Sequence, residues 1–416
     1  MDNSFFEISA AARKIGEKAM EITRPCFERI DEITEYNQLK MLRAFQDARV
    51  SESLFSGSTG YGYDDRGREA LDRIFAQVLD TEDALVRHHF ASGTHTLTVA
   101  LFGVLRPGDT MLSVTGVPYD TLQGVIGIGK SYSGSLKDFG IKYEQAELLA
   151  DGGIDYDGIR AALRPDTKMV YIQRSRGYSL RPSLLAGDLE KISTLVRGIA
   201  PDCIIMLDNC YGEFVEKDAP GKYVDLMAGS LIKNPGGGIA PTGGYIAGRA
   251  DLVEKCAFRL TTPGTGKEIG CTLGHSRELF MGAFHAPHVT GEAVKTAVFA
   301  AAVFGLLGYN VTPGYDEIRG DIIQAVLLGN EERLIRFCQG IQAASPIDSF
   351  VSPEPWDMPG YDSKVIMAAG AFTLGSSIEL SADAPLREPY AVWMQGGLNF
   401  HSGKTAVLLA ADNMSR

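Results

Sequence analysis

No two of the six cysteines, Cys26, Cys203, Cys210, Cys256, Cys271 and Cys338, form a CxxC pair. That scatter fits neither a disulfide framework nor a thiolate metal site, and it predicts reduced thiols, most of them filling the core. Basic residues are also in short supply. Lys and Arg number 40 against 52 Asp and Glu, a net charge of -12, and no basic run is long enough to follow a phosphate backbone. Nucleic acid is therefore not an expected partner. Long apolar runs are missing too: the most apolar, residues 296–307, has 12 residues, whereas a membrane span needs about 20. It reads as a buried helix, and no membrane association is expected. The start, MDNSFFEISAAARKIGEK, places Asp2, Glu7 and Lys14 where a signal peptide needs an uninterrupted apolar stretch, which predicts a cytoplasmic protein. The seven histidines, among them His88, His89, His95, His285 and His288, show no HExxH or other ligand spacing, so no metal is expected. PGTGKEIG at 263–270 lacks the first glycine of a P-loop and has Glu268 where Ser or Thr should bind magnesium. ATP binding is rejected.

What is present is an ordinary globular balance, 45% apolar and 22% charged over 416 residues, enough for two domains or one large α/β domain with extensions. Apolar positions recur at helical spacing over residues 5–48 (Phe6, Ile8, Ala11, Ile15, Ala19, Ile22, then Phe27, Ile30, Ile33). Pro25 interrupts them, so the pattern predicts two helices. The glycine-rich SGSTGYGYDDRGR at 56–68 predicts a loop, and a helical pattern follows over 69–79. Between about residues 80 and 250, apolar runs at 110–114 (TMLSV), 169–173 (MVYIQ), 203–207 (CIIML) and 244–247 (GYIA) alternate with helical stretches. Runs that are apolar on both faces suit the buried strands of a mostly parallel sheet. The C-terminal part opens on the alanine-rich helix, contains the proline-rich VSPEPWDMPG at 351–360 and carries a strand at 377–380 (SIEL). The expected organisation is an N-terminal helical arm (1–55), a large domain (56–290) and a smaller α+β domain (291–416).

Four segments carry chemistry. In LDNCYGEF, Asp208 closes an apolar strand, and in GSLIKNPGGG, Lys233 follows 25 residues later in a glycine-rich loop. A lysine at such a junction is placed to capture a carbonyl; read alone it is an ordinary surface lysine. A carboxylate at the C-terminal edge of a parallel strand is placed to pair with a protonated ring nitrogen, or else to cap a helix. ASGTHT at 91–96 sets Ser92, Gly93 and Thr94 at a helix N-terminus, which is a seat for phosphate or a plain N-cap. Tyr119, in VTGVPYDTL, offers an aromatic face at the same sheet edge.

Phosphate seat, stacking aromatic, strand-end aspartate and loop lysine, in that order, resemble a pyridoxal phosphate (PLP) site of the aspartate aminotransferase fold class. The segments GYGYDDRGR, SGTHT, QRSRGYS, IKNPGGGIAPTGGYIAG, APHVTGEA and IELSADAPLREPY resemble, over residues 50–416, the aluminium resistance proteins of the methionine γ-lyase family, within the cystathionine γ-synthase-like branch. The resemblance implies an α/β protein of PLP-dependent transferase fold type I, with a mostly parallel seven-stranded sheet flanked by helices in the large, PLP-binding domain and a smaller C-terminal α+β domain. It implies PLP as cofactor, with Lys233 as the Schiff-base lysine, Asp208 on the pyridine nitrogen, Tyr119 stacked on the ring, and Ser92, Gly93, Thr94 and Ser230 on the phosphate. In the broader family a Tyr/Arg pair from the neighbouring subunit also reaches the phosphate. Tyr61 and Tyr63 occupy that loop here, a tyrosine stands near the arginine position, and Arg66 and Arg68 follow. A homodimer or homotetramer with shared active sites is implied.

The chain departs from methionine γ-lyases at Thr121, where they carry cysteine, so methionine itself has no support as substrate. Arg387 is the first candidate for gripping a substrate carboxylate, since a guanidinium fork matches it bidentately. Arg176 is the second, and a surface salt bridge is the alternative for both. The implied reaction is β- or γ-elimination from a small, sulfur-containing amino acid, with Lys233 and Tyr119 as catalytic residues. Other PLP chemistry, aldol cleavage or substituent transfer, and a catalytically silent PLP-fold binding protein stay open.

Overall fold

The computed structural model describes residues 5–129, 133–358 and 363–415. Asp2 of the leader argument and Pro359 and Gly360 of the proline-rich stretch lie outside the described residues.

The chain runs α1 (Ala10–Asp47), α2 (Arg66–Val78), β1 (Asp83–Arg87), α3 (Gly93–Val104), β2 (Thr110–Ser113), α4 (Asp120–Ile126), β3 (Lys142–Gln145), α5 (Tyr156–Ala162), β4 (Met169–Gln173), α6 (Ala186–Ile199), β5 (Ile204–Asp208), β6 (Leu226–Ser230), β7 (Gly244–Gly248) and α7 (Ala250–Leu260). The long α8 (Ser276–Leu306) follows, then β8 (Asn310–Thr312), β9 (Ile323–Leu327), α9 (Glu331–Ala343), β10 (Val365–Ala368), β11 (Ser381–Pro385), β12 (Ala391–Gln395) and α10 (Phe400–Ser415).

Seven strands form one sheet in the order β1-β7-β6-β5-β4-β2-β3. β7 pairs antiparallel with both neighbours, and the pairs from β6 to β3 are all parallel. Alternation along β4 explains its unbroken apolar sequence. Val170 and Ile172 enter the core under α2 and α6, whereas Met169 and Tyr171 enter the one under α3, α4 and α7. A sheet covered on both faces has no polar side to show in its sequence. A second, antiparallel sheet, β10-β11-β12-β9-β8, shares a core with α9, α10 and the end of α8 through Val326, Phe337, Ile366, Val392, Val407 and Phe304.

Two expectations need correction. α1 is one helix of 38 residues with Pro25 inside it. Pro25 is exposed, so the carbonyl that loses its N–H partner faces water, and packing along α8 holds the helix together across the gap. The strand expected at 377–380 begins four residues later, as Ser381–Pro385. Ile378 and Leu380 have the better β-propensity, but the sheet interior took the small SADAP, all five of whose residues are buried.

α8 has 31 residues and is long and apolar enough to cross a membrane, yet its apolar side chains lie in the protein's interior, from Leu279 to Phe304. It contains most of the run 296–307 and passes through residue 290, connecting the cores of the two sheets. It also seats the loop that carries Lys233. A Cβ on Gly282 would lie 2.4 Å from the Gly236 oxygen, and one on Gly237, at φ +55°, would lie 2.6 Å from the Gly282 oxygen. Bare backbone on both sides is what permits this approach. Gly282→Ala should therefore destabilise the protein by about 1–3 kcal/mol through overpacking, measured as a lowered urea midpoint at unchanged slope; an unchanged midpoint would show that the loop is not clamped there.

Candidate active site

β4, β5 and β6 are parallel neighbours whose C-terminal ends meet one edge: Gln173 pairs with Asp208, Asp208 pairs with Ala228, and β6 runs two residues further to Ser230. The strands thus deliver Gln173, Asp208, Ser230 and, one turn on, Lys233 to one edge. A cavity of about 110 Å³ opens there, lined by Asp208, Lys233, Tyr119, Tyr211, Tyr178 and Gln395 among others.

Asp208 is 4% exposed. Its Oδ1 accepts the Cys210 N–H at 3.1 Å and its Oδ2 accepts the Tyr171 hydroxyl at 3.3 Å. Burial pushes its carboxyl above the usual range, against the pull of Lys233. The Lys233 Nζ stands 4.0 Å from the centre of the Tyr211 ring. Burial opposes the ammonium, but Cys210, Tyr211, Tyr119 and Asp208 together outweigh it and hold its pKa above the ordinary value. Tyr211 adopts φ +71°, a left-handed conformation that costs a non-glycine residue about 1 kcal/mol or more. The loop is kept in place from below by Arg174, whose guanidinium donates to Asn209 Oδ1 at 2.8 Å, the Gly212 oxygen at 2.9 Å and Glu216 at 2.6 Å.

On the other side of the cavity α3 points its N-terminus at the end of β6. Ser92 caps the helix, its Oγ accepting the His95 N–H at 3.0 Å. The N–H groups of a first turn have no partner within the helix, and those of Gly93 and Thr94 belong to it. A Cβ on Gly93 would come within 3.3 Å of the Ser230 Cβ. The Ser230 Oγ is itself buried without a hydrogen-bond partner. Tyr119 caps α4 and donates its N–H to Gln173 Oε1 at 2.9 Å. Its hydroxyl bonds Thr94 Oγ1, which also meets Thr121 Oγ1 at 2.8 Å. Burial raises the Tyr119 phenol to about 12.

The structure thus gathers Ser92, Gly93, Thr94, Tyr119, Asp208, Ser230 and Lys233 around one edge. It does not bring Tyr61 and Tyr63 there. These two rings stack 5.5 Å apart and are 70% and 61% exposed, on a loop fastened to residues 268–273 by Arg68. The Arg68 Nη1 donates to the oxygens of Gly62 and Gly270, both at 2.8 Å, so this arginine is committed to the loop. Arg176 is 2% exposed, and its Nη1 donates to the Thr312 oxygen at 2.9 Å. Arg387 is exposed and borders an outer cavity of about 300 Å³ that shares Tyr119, Gln173 and Tyr178 with the inner one.

Sequence reasoning missed Tyr211, Tyr178, Gln173, Gln395 and the acids Glu213 and Asp383. Tyr211 lay inside the singled-out LDNCYGEF, and Tyr178 inside QRSRGYS, so proximity to a motif was a usable signal. For Gln395, on β12 of the other sheet, none existed.

The donor set fits PLP. A buried hydroxyl without a partner opposite a helix N-terminus suits a phosphate, a buried carboxylate suits a pyridinium, and an amine among aromatic rings suits a carbonyl-bearing ring.

Glu213 lies beneath this edge, 2% exposed. Its Oε1 accepts the Tyr245 hydroxyl at 2.9 Å, and its Oε2 has no partner. Burial raises its carboxyl to about 7. The folded state therefore keeps a proton that the unfolded chain gives up, so stability falls as pH rises from about 4.5 to 7. Glu213→Gln should match the parent's stability near pH 4 and exceed it by about 3 kcal/mol at pH 8; denaturant unfolding at both pH values checks this, and an equal difference at both would refute it.

Among known proteins, the methionine gamma-lyase family model matches residues 12–415. The carbon-sulfur lyase involved in aluminum resistance of Clostridium novyi NT is 52% identical, with a TM-score of 0.94 over 97% of this chain and 96% of its own. The uncharacterized protein YnbB of Bacillus subtilis (strain 168) is 49% identical over 389 residues, 93% of this chain and 92% of its own. A Campylobacter jejuni metY structure, solved with N'-pyridoxyl-lysine-5'-monophosphate, shares the fold at 16% identity and a TM-score of 0.57, over 84% of this chain and 88% of its own.

Proposed function

Since the chain belongs to the methionine gamma-lyase family, we propose that it is a PLP-dependent carbon-sulfur lyase, removing a β- or γ-substituent from a small sulfur-containing amino acid. The observation that carries the reading is the arrangement at one sheet edge of a buried carboxylate, Asp208, an amine, Lys233, and a partnerless hydroxyl, Ser230, facing a helix N-terminus.

Ser92, Gly93, Thr94 and Ser230 would hold the phosphate, Asp208 the pyridine nitrogen and Lys233 the carbonyl carbon, and Tyr119 would offer its face to the ring. When bound, PLP supplies an electron sink that acidifies the Cα proton of the substrate. The burial of Asp208 strengthens its charge interaction with a pyridinium, because little water competes. The Lys233 amine moves the Cα proton. Its surroundings favour the ammonium, which suits a group that receives a proton and delivers it to the departing side. The Tyr119 phenol, at about 12, stays protonated at neutral pH and can donate to a leaving sulfur.

Arg387 grips the substrate carboxylate at the mouth, which the buried Arg176 is less free to do. Tyr61 and Tyr63, turned away from their own chain's cavity, reach the site of a second copy in a homodimer or homotetramer, and the enzyme works in the cytoplasm.

Borohydride reduction of the yellow protein followed by peptide mass spectrometry should place a pyridoxyl group on Lys233. A panel of amino acids should release thiol, ammonia and keto acid from at least one thioether or thiol substrate. A label on another lysine would overturn the site, and release of glycine and an aldehyde from β-hydroxy amino acids, with no thiol or keto acid from any substrate, would replace elimination by aldol cleavage.

A further inference from the structure

The small sheet contributes a wall to the Lys233 cavity, and that wall contains a buried acid. Asp383 is 3% exposed and pairs across β11 and β12 with Trp393, next to the pair Ser381–Gln395. These four side chains share one face of the two strands, the face against which Tyr178 and Tyr211 pack. The Asp383 Oδ2 accepts two bonds, from the Tyr178 hydroxyl at 2.9 Å and from Gln395 Nε2 at 2.8 Å. Both donors line the cavity that holds Lys233, though they come from different sheets: Tyr178 from the loop after β4, and Gln395 from the end of β12. The Asp383 Oδ1 has no hydrogen-bond partner.

A carboxylate so deeply buried is expensive to keep. Closing a sheet edge does not require one, since a serine or threonine there would cost less. The Asp383 carboxylate supplies one oxygen that accepts from a phenol and an amide together, without the hydrogen that a hydroxyl would carry. It turns the Tyr178 hydroxyl outward, away from the cavity. It also uses the Gln395 amide N–H groups, one on Asp383 and one on Ser381 Oγ at 3.0 Å, which leaves Gln395 Oε1 as an acceptor.

We propose that Asp383 is a positioning residue that locks Tyr178 and Gln395 into the substrate-facing wall, so that the two sheets present one fixed surface to the amino acid. The inference rests on the lyase reading for its substrate and adds a residue that reading does not use. A lock of this kind acts on the bound amino acid before chemistry begins, so its loss falls on KM more than on kcat.

Asp383→Leu keeps the side chain's branched shape but removes the oxygen that accepts both bonds, and Tyr178 and Gln395 lose their common partner. KM should rise about tenfold or more with kcat within about threefold, as expected for a lost hydrogen bond to a charged acceptor. Cofactor content and melting temperature should stay at the parent's values. Tyr178→Phe should reproduce the effect, and the double variant should be no worse than the poorer single one. An unchanged KM, multiplying losses in the double variant, or a fall in cofactor content and melting temperature that accounts for the lost activity would each overturn the proposal. Calorimetric titration with L-alanine, which has no leaving group, separates this from the lyase reading. If the parent turns over no amino acid the lyase reading fails, and weaker alanine binding by Asp383→Leu would still uphold the lock, whereas equal affinity would overturn it.

Discussion

The parallel pairing of β5 with β6 decides where everything else at the pocket must go. Because the two strands run side by side, with β6 ending two residues beyond the partner of Asp208, Asp208 and the Ser230–Lys233 turn leave the sheet at the same edge. α3, packed over β6, brings its N-terminus to that edge as well. A shift of one residue in this register would turn Asp208 from one face of the sheet to the other, and the carboxylate would be lost to the apolar core. The glycine contacts beneath the Lys233 loop serve the same requirement, since only bare backbone lets the loop settle on α8.

Around this edge the protein keeps several polar groups buried and incompletely paired: Ser230 Oγ, Glu213 Oε2, Asn234 Oδ1 and Asp383 Oδ1. Each costs about 1–3 kcal/mol if left so, which only a large, well-packed core can offset. Their clustering at or just past the ends of β5 and β6 and in the middle of β11 matches the general rule that sites of chemistry are where local rules of stability are broken. Raised carboxyl groups at Asp208, Glu213 and Asp383 are the electrostatic face of the same burial.

Much of this was legible in the sequence because the large sheet is built from contiguous signals. Strands buried on both faces are continuous apolar runs, and the runs at 110–114, 169–173, 203–207 and 244–247 each fall on a strand within a residue or two. Lys233, Asp208, Ser92 and Tyr119 were legible because each sits in a short segment whose glycines or helix start mark a turn. Pro25 misled because its penalty depends on whether the lost bond faces water, and the strand at 381–385 because burial on both faces overrode propensity. Glu213 and Asp383 stood inside the quoted segments LDNCYGEF and IELSADAPLREPY but carried no mark of their burial, and Gln395 stood in none, since nothing in sequence tells which carboxylate a distant sheet will fold over.

On the proposed reading, Asp208 and Lys233 are the electrostatic and proton-moving halves of one PLP site. The most direct measurement is the rate at which the holoenzyme exchanges the Cα proton of L-alanine for deuterium, followed by NMR, in the parent and in Asp208→Asn. The asparagine keeps the shape but cannot hold a pyridinium by charge, so the account predicts retained fold and cofactor with exchange slowed by about two orders of magnitude. Exchange at the parent's rate in Asp208→Asn would contradict it.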